Sequence, residues 1–485
     1  MGMERGKPST HVPAKASSHG TVDRISKLPD DIMLTIFERL DICDAVRTSI
    51  VTKQWRHMPT MLNKLIIKVS SFEPDKDNRS KISLNDLDRA NATMLEATKS
   101  ILSRRNASQY PLHLLCLQFY LGDESIAIAK TVAYIMETQT VGSVELIIMT
   151  KKDHAHCTED DVTFHGRQLM SLFEACPNAF AVLTCLKLEN LSLNESDLPN
   201  IFCVCKKLEF LRLYNCDMGI LSSLDVEHPR LGELEMDQCR FERVNLKWLP
   251  MLTMLTFEDW ISQKDPLSFG YVPLLRNVSL NNIAFSWHKT LELSELLCNS
   301  RVNTLELNFM SEKIWIRPEC ARRLLPVFCR LRRVNLINVS EECDLNWTMF
   351  ILQGAPSLEE LHILVRDHLC QMLRNEELRR EYEYSEKKGV DWEGAQLNFK
   401  HHKLTVLKIF GFRPDDKFVR YVRKVIEAAV NLQDIFLYNK VVCDKCKHVV
   451  PKASRSPWPR KQRFSLRNRI TDGTNSFAVI HFPSF

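Results

Sequence analysis

The sequence predicts an α/β fold with three parts: a short helical module, a solenoid of short parallel strands with helices and loops outside it, and a C-terminal α/β end. Two observations carry this prediction. An apolar hexad recurs along most of the 485 residues, and the stretch from 27 to 55 has apolar residues at helical spacing. About thirty residues are too few to bury a core of their own, so this stretch must pack on another surface.

The recurring hexad has the pattern apolar–x–x–apolar–x–apolar. Clear copies start at Leu183, Leu208, Leu231, Leu252, Leu275, Val302, Leu331, Leu358, Leu404 and Leu432, with weaker copies at Leu112 and Val141. From Leu183 to Leu358 the start-to-start steps are 25, 23, 21, 23, 27, 29 and 27 residues. A hexad of this kind at steps of 20–29 residues is typical of leucine-rich repeats.

Each hexad predicts one short strand, because its last two apolar residues alternate and therefore point to the same face. The residues between hexads return the chain for the next parallel strand. Leucine-rich repeats favour Asn or Cys at the ninth position. This sequence has Cys216, Cys239, Leu191, Trp260, Ile283 and Val339 there. We therefore expect an irregular array, interrupted by a charge-dense, exposed and partly helical insertion at about 366–395.

Composition argues against several classes of protein. The chain is 45% hydrophobic, and its net charge of +5 is small for its length, which indicates neither a nucleic-acid coat nor a polybasic membrane protein. No apolar run reaches the roughly eighteen residues of a membrane span. Residues 1–20 lack an apolar core and predict a disordered leader. Sixteen cysteines, interpreted as mostly buried free thiols, favour the cytoplasm or nucleus.

No recognisable catalytic motif is present: the sequence lacks a glycine-rich phosphate loop, a GxSxG elbow and an HExxH pair. CDKCKH (443–448) and HAHC (154–157) each lack a second ligand pair at zinc-site spacing, so free thiols and imidazoles are the simpler interpretation. We expect no catalytic residue, no metal and no cofactor. The basic segment PRKQRFSLRNR (459–469) is either a solvated tail or a nuclear-import or phosphate-binding segment.

The stretch KLPDDIMLTIFERL from 27 to 40 predicts a helix with one wide apolar face. Its apolar residues at helical spacing are Leu28, Ile32, Met33, Ile36, Phe37 and Leu40. Pro29 suits the first helical position because its missing N–H costs nothing there. The two aspartates that follow it suit the positive end of the helix dipole.

A second helix is predicted to begin at Asp44, which is placed to cap it. Val46, Ile50 and Val51 would share one face of this helix, and Trp55 completes the apolar pattern. These faces either dock on a partner or cap the first repeat of the solenoid, and the two roles are compatible.

The segment from about 23 to 63 resembles an F-box. It contains the LP-x-x-I stretch, the Leu-ended helix and the Trp at the end of a second helix. Irregular leucine-rich repeats follow, and residues 396–439 look like an FBD region, so the chain is similar to plant F-box/FBD/LRR-repeat proteins. The resemblance divides the chain into a leader (1–20), an F-box (21–66), leucine-rich repeats (67–390), an FBD-like region (391–445) and a basic tail (446–485).

The resemblance implies that the F-box binds a Skp-type adaptor and, through it, a cullin–RING ubiquitin ligase. The residues on the family's apolar positions are Leu28, Pro29, Ile32, Ile36, Phe37, Leu40, Val46 and Trp55. The expected function is a non-catalytic substrate-recognition subunit of an SCF-type ligase. Two alternatives stay open: an interaction scaffold outside any ligase, and a sensor in which a small molecule completes the substrate site.

The outward residues of the central strands predict a substrate surface. They flank the buried apolar pairs and line the inner face of the solenoid. The residues predicted to bind substrate are Phe210, Arg212, Tyr214, Glu233, Glu235, Asp237 and Glu258. Because the set is acidic with aromatic neighbours, a protein partner would present basic residues and one apolar anchor. Alternatively, the carboxylates only keep a sheet face soluble.

Overall fold

The structure is a computed structural model that describes residues 28–74, 83–105, 110–219, 222–367, 369–370, 372–392, 399–439, 444–446, 458–474 and 476–483. The predicted leader (1–20) lies outside the described residues. Within the described ranges, no helix has the length and apolarity needed to cross a lipid bilayer.

Fourteen parallel strands form one continuous sheet, in which most neighbours along the chain are also neighbours in space. In sheet order, these strands are β1 (Lys64–Lys68), β2 (Leu112–Tyr120), β3 (Val141–Met149), β4 (Cys185–Ser192), β5 (Phe210–Asp217), β7 (Glu233–Asp237), β9 (Met254–Glu258), β11 (Asn277–Asn281), β12 (Thr304–Asn308), β13 (Arg333–Val339), β14 (Glu360–Val365), β15 (Val406–Phe410), β16 (Asp434–Leu437) and β17 (Val479–His481). The predicted α/β solenoid is confirmed.

The strands alternate as the hexads predict. On β5, Leu211 and Leu213 are fully buried, whereas the residues between and beside them stay partly exposed. The parallel register places Leu211 beside Leu234 of β7, which in turn lies beside Leu255 of β9. Each repeat therefore buries its apolar pair against the same pair of the next repeat, and the opposite strand face, here called the inner sheet face, carries the polar residues.

Fourteen α-helices lie in the described part of the chain. They are α1 (Asp30–Phe37), α2 (Ile42–Ser49), α3 (Met58–Met61), α4 (Leu84–Ser103), α5 (Ser125–Thr138), α6 (Glu159–Ala175), α7 (Pro177–Ala181), α8 (Asp197–Val204), α9 (Leu293–Leu296), α10 (Ala321–Phe328), α11 (Met349–Gly354), α12 (Glu376–Glu381), α13 (Asp416–Ala428) and α14 (Arg460–Thr471). From α4 onward most of them occupy the connections between consecutive strands of the large sheet.

Three consecutive connections hold strands instead of the expected helices or loops. These strands, β6 (Ser223–Glu227), β8 (Arg243–Trp248) and β10 (Leu267–Tyr271), form a second parallel sheet. They occupy the repeats with steps of 21–23 residues, whereas each step of 25 residues or more holds a helix. The shorter connections bury an alternating pair, such as Leu224 and Val226, which favours a strand.

In five repeats the sharp turn that ends the strand depends on the eighth residue of the repeat, not on the ninth. Asn190, Asn215, Gln238, Asp259 and Asn338 have φ between 49° and 56°. Asn and Asp tolerate this left-handed backbone better than most residues with a side chain. The Asn215 amide also donates a 2.7 Å hydrogen bond to the Asn190 side-chain oxygen, which ties neighbouring turns together.

The segment interpreted as a solvated basic tail is instead part of the fold. Residues 460–471 form α14, and Leu466 and Ile470 on its inner face are buried. The chain then adds β17, which pairs with β16 in parallel. Leu466 and Ile470 are four residues apart, so one helical face can bury both while the basic residues stay solvated.

The FBD-like region stays a prediction as a domain. Its stretch supplies β15, α13 and β16, which extend the same sheet. The predicted insertion at 366–395 is partly helical, through α12, but it is anchored more firmly than an exposed loop. The Arg379 guanidinium donates to both carboxylate oxygens of the buried Glu312, at 2.8 and 2.6 Å.

Candidate adaptor and substrate surfaces

The first two helices bury one face and expose the other. Met33 and Phe37 of α1 point inward, and the Phe37 ring packs edge-on against Trp55 with 6.4 Å between ring centroids. Phe37 is 0% exposed and Trp55 is also buried. In the folded chain Phe37 and Trp55 form the core of the helical module itself, and the adaptor contact predicted for them stays a prediction.

Four of the remaining predicted adaptor residues face solvent. Pro29 is exposed, and the exposed fractions of Ile32, Ile36 and Val46 are 45%, 39% and 40%. Leu28 and Leu40 are half-buried against the core.

Two further apolar residues, which the predicted adaptor set omitted, are also exposed in this module. Ile50 and Val51 follow directly after α2 and are 71% and 70% exposed. The sequence did offer a signal, because Val46 and Ile50 are four residues apart on the predicted helix. We call Pro29, Ile32, Ile36, Val46, Ile50 and Val51 the exposed F-box face.

The second helix begins earlier than predicted and has a different cap. The Asp41 carboxylate accepts a 2.9 Å hydrogen bond from the Cys43 N–H at the start of α2. Asp44 lies inside the first turn and pairs with Arg47 at 3.1 Å. An earlier start lets Ile42 and Ala45 pack inward on one helical face, which explains why Val46 is turned outward.

The predicted substrate residues come together on three neighbouring strands. Parallel register aligns Phe210 with Glu233, and Arg212 with Glu235. It also forms a row in which Asp237 lies between Tyr214 on one side and Glu258 on the other. All seven predicted residues therefore occupy one continuous area of the inner sheet face, which we call the acidic strip.

Four carboxylates and one guanidinium make the acidic strip net negative. Arg212 lies 3.8 Å from Glu235 and 3.6 Å from Asp237, distances typical of loose ion pairs. Its guanidinium also lies 5.8 Å from the centre of the Tyr214 ring, and the Lys187 ammonium lies 4.9 Å from that of Phe210. The two aromatic side chains are therefore already in contact with cations of the protein.

One end of the acidic strip meets the HAHC segment. The Tyr214 hydroxyl and the His154 Nδ1 are 2.7 Å apart, and the same nitrogen lies 2.8 Å from Asp153. Across the described ranges, no three His, Cys, Asp or Glu side chains are grouped so that they could hold a metal ion. Cys443 of the CDKCKH segment lies outside the described residues.

Burial shifts the protonation of the carboxylates at the other end of the strip. It raises the pKa of Asp237 and the pKa of Glu258 above their ordinary values. Asp259 is affected more strongly: burial, followed by the charges of Asp237 and Glu258, raises its pKa to about 7. Since one Asp259 oxygen is buried without a hydrogen-bond partner in the described structure, its ionised form is poorly stabilised.

We expect Asp259→Asn to stabilise the protein at pH 8 by about 2–4 kcal/mol, and by much less at pH 4. The folded-state pKa is raised, so ionisation of Asp259 opposes folding. This free-energy cost begins above the pKa that Asp259 has in the unfolded chain, near 4, and it is complete above pH 7. Urea unfolding at both pH values measures it. A gain that is equal at pH 4 and pH 8 would show that the charge of Asp259 is not the cause.

Comparison with known proteins agrees with this architecture. The family model described as "At1g61320/AtMIF1, LRR domain" matches residues 171–468, and the F-box domain model matches residues 25–66. The protein is thus an F-box protein with leucine-rich repeats. Because the first model covers more than half of the chain, the chain belongs to that leucine-rich-repeat family.

Two Arabidopsis thaliana proteins are similar to parts of the chain. F-box protein At1g80960 is 38% identical over 86 residues, which cover 17% of this chain and 16% of that protein. F-box/FBD/LRR-repeat protein At2g04230 is 25% identical over 234 residues, which cover 45% and 48%. The matches therefore span less than half the length of these curated relatives. The predicted resemblance to plant F-box/FBD/LRR-repeat proteins is confirmed.

Proposed function

We propose that this protein is the substrate-recognition subunit of an SCF-type ubiquitin ligase. In this role it performs no chemistry: the exposed F-box face binds a Skp-type adaptor, which links it to a cullin–RING ligase. The leucine-rich repeats hold a protein substrate for ubiquitination by the other subunits. Such a protein acts in the nucleus or the cytoplasm.

The exposed F-box face is the observation that carries the proposal. Single exposed apolar residues are ordinary, but six within 23 residues of sequence, on two short helices or directly beside them, are typical of a binding surface. The opposite helical faces are already occupied by Phe37, Met33 and Trp55. The helices can cap the solenoid only with this buried side. Capping therefore does not explain why the exposed F-box face is apolar.

The substrate that fits the acidic strip is a protein segment with basic residues and one apolar anchor. Arg212 neutralises only part of the charge, and Glu233 is exposed without an ion-pair partner among the described residues. A lysine or arginine from a partner would supply the missing positive charge. Tyr214 and Phe210 offer aromatic surface beside it.

Ligase membership is tested by purifying the tagged chain from cells treated with a proteasome inhibitor. The intact chain should recover the adaptor and a cullin, and a chain that lacks residues 21–66 should recover neither. Equal recovery of the cullin by both chains would refute the proposal. Recovery of stable partners without any cullin would instead identify an interaction scaffold.

We expect the triple variant Glu233→Lys, Glu235→Lys and Asp237→Lys to weaken substrate binding about tenfold or more at low salt, because it replaces attraction by repulsion. The loss should shrink at high salt, and adaptor binding should not change. Substrates recovered with the intact chain are compared by quantitative mass spectrometry across the variants.

A matched control reverses three exposed carboxylates outside the acidic strip, at Asp123, Glu195 and Glu227. It makes the same change in net charge and should leave substrate recovery unaltered. If the strip variant recovers every substrate as well as the control does, the substrate binds elsewhere, for example on the 366–395 insertion.

A further inference from the structure

A cleft with a volume of about 670 Å³ lies between the C-terminal part of α4 and the facing side of α5. Its apolar residues include the buried Leu102 and Ile135, together with Ala127 and Tyr134. Volumes of 300–1,000 Å³ with an apolar lining are typical of sites for small molecules. The cleft is separate from both the exposed F-box face and the acidic strip, since no residue of either surface lines it.

The cleft also contains a buried cation without a carboxylate partner. Arg105 is 7% exposed, and no Asp or Glu of the described structure forms an ion pair with it. Its Nη1 donates to the Thr60 carbonyl at 3.0 Å and its Nη2 to the Tyr110 carbonyl at 2.9 Å. Its Nε is buried and has no hydrogen-bond partner in the described residues.

The charges around the cleft have the same sign. Lys99 and Lys130 line it, and no acidic residue of the described part of the chain does. Lys99 pairs with Glu96 on the same helix at 3.1 Å, whereas Lys130 has no ion pair in the described part of the chain. A buried guanidinium that meets only neutral carbonyls is costly, and burial lowers its pKa accordingly.

We infer that this cleft binds a small amphipathic carboxylate, with its charged head near Arg105 and Lys130 and its apolar body on Leu102 and Ile135. The head pairs with the Lys130 ammonium, and its negative charge offsets the nearby buried guanidinium of Arg105. The apolar body gains from burial at roughly 25 cal/mol per Å². The inference does not depend on ligase membership, because it uses none of the same residues.

Titration of the full chain with decanoate tests the inference, with decan-1-ol as an uncharged probe of equal chain length. Calorimetry at pH 7.5, below the micelle concentration, should show one saturable decanoate site that binds at least about tenfold more tightly than decan-1-ol, because charge-assisted hydrogen bonds are the stronger kind. Equal affinity for the two probes, or no saturable site, would overturn it.

Two variants locate the site. Thr131→Phe places a ring in the cleft from the α5 side and should abolish decanoate binding. Lys130→Gln should weaken it about threefold to tenfold, while Lys206→Gln, an exposed lysine elsewhere, should leave it unchanged. Circular dichroism verifies that Thr131→Phe folds. If it does not fold, the comparison of Lys130→Gln with Lys206→Gln locates the site. Decanoate binding that is the same in Lys130→Gln and the intact chain would place the anion outside this cleft.

Discussion

The double variant Ile32→Glu and Ile36→Glu should lose adaptor binding by at least about a hundredfold while the repeats stay folded. Both side chains are on the solvent side of α1, so charges there cost little in the free protein. In the complex each carboxylate would be buried against an apolar partner, and two lost apolar contacts alone are worth about 3 kcal/mol. Binding is measured by calorimetry with a purified Skp-type adaptor.

Ile126→Glu is the matched control, because Ile126 is also an exposed isoleucine on a helix. It should bind the adaptor like the unaltered chain. A double variant that retains full affinity would show that the exposed F-box face is not the adaptor surface, and the proposed function would lose its main support.

Phe37→Ala should destabilise the helical module by about 3–5 kcal/mol, since it removes a fully buried aromatic ring and leaves a cavity beside Trp55. Adaptor binding should fall as a consequence of unfolding rather than of a lost contact. Hydrogen exchange of the amides in α1 and α2 should speed up, whereas exchange in β4 and β5 should not change.

Ile36→Ala provides the comparison for this second prediction. Ile36 is adjacent to Phe37 in sequence but 39% exposed, so its truncation should leave amide exchange nearly unaltered and still weaken the adaptor complex. If Phe37→Ala reduced binding without faster exchange, Phe37 would be an interface residue after all, as the family pattern implied.

The strands of the solenoid were predictable because their signal is local and repeated. Leu211 and Leu213 alternate on β5, and the same pair recurs in each repeat, so an error in one copy does not change the fold. The strands β6, β8 and β10 carry a similar alternation, as in Leu224 and Val226, but it was hidden in connections where helices are more common.

The orientation of the helical module was not predictable from spacing alone. Ile32, Met33, Ile36 and Phe37 form a stripe too wide to show which half packs inward. The folded chain shows which half packs inward, because Trp55 lies against Phe37. In α14 the apolar signal is too weak rather than too wide. Its buried pair, Leu466 and Ile470, is outnumbered by basic residues.

The acidic strip was predictable residue by residue, because strand alternation and parallel register follow from the hexads. The ion pairs of Arg212 and the contact between Tyr214 and His154 were not, since His154 lies sixty residues away in sequence. The cleft at Arg105 depends in the same way on α5 folding back onto α4.

Amide hydrogen exchange of the full chain, with and without a Skp-type adaptor, tests the central claim most directly. The proposed function predicts that adaptor binding slows exchange in α1 and α2, around Ile32, Ile36 and Val46, and leaves the strands of the acidic strip unchanged. Slower exchange confined to the strands, or no change anywhere at saturating adaptor, would contradict it.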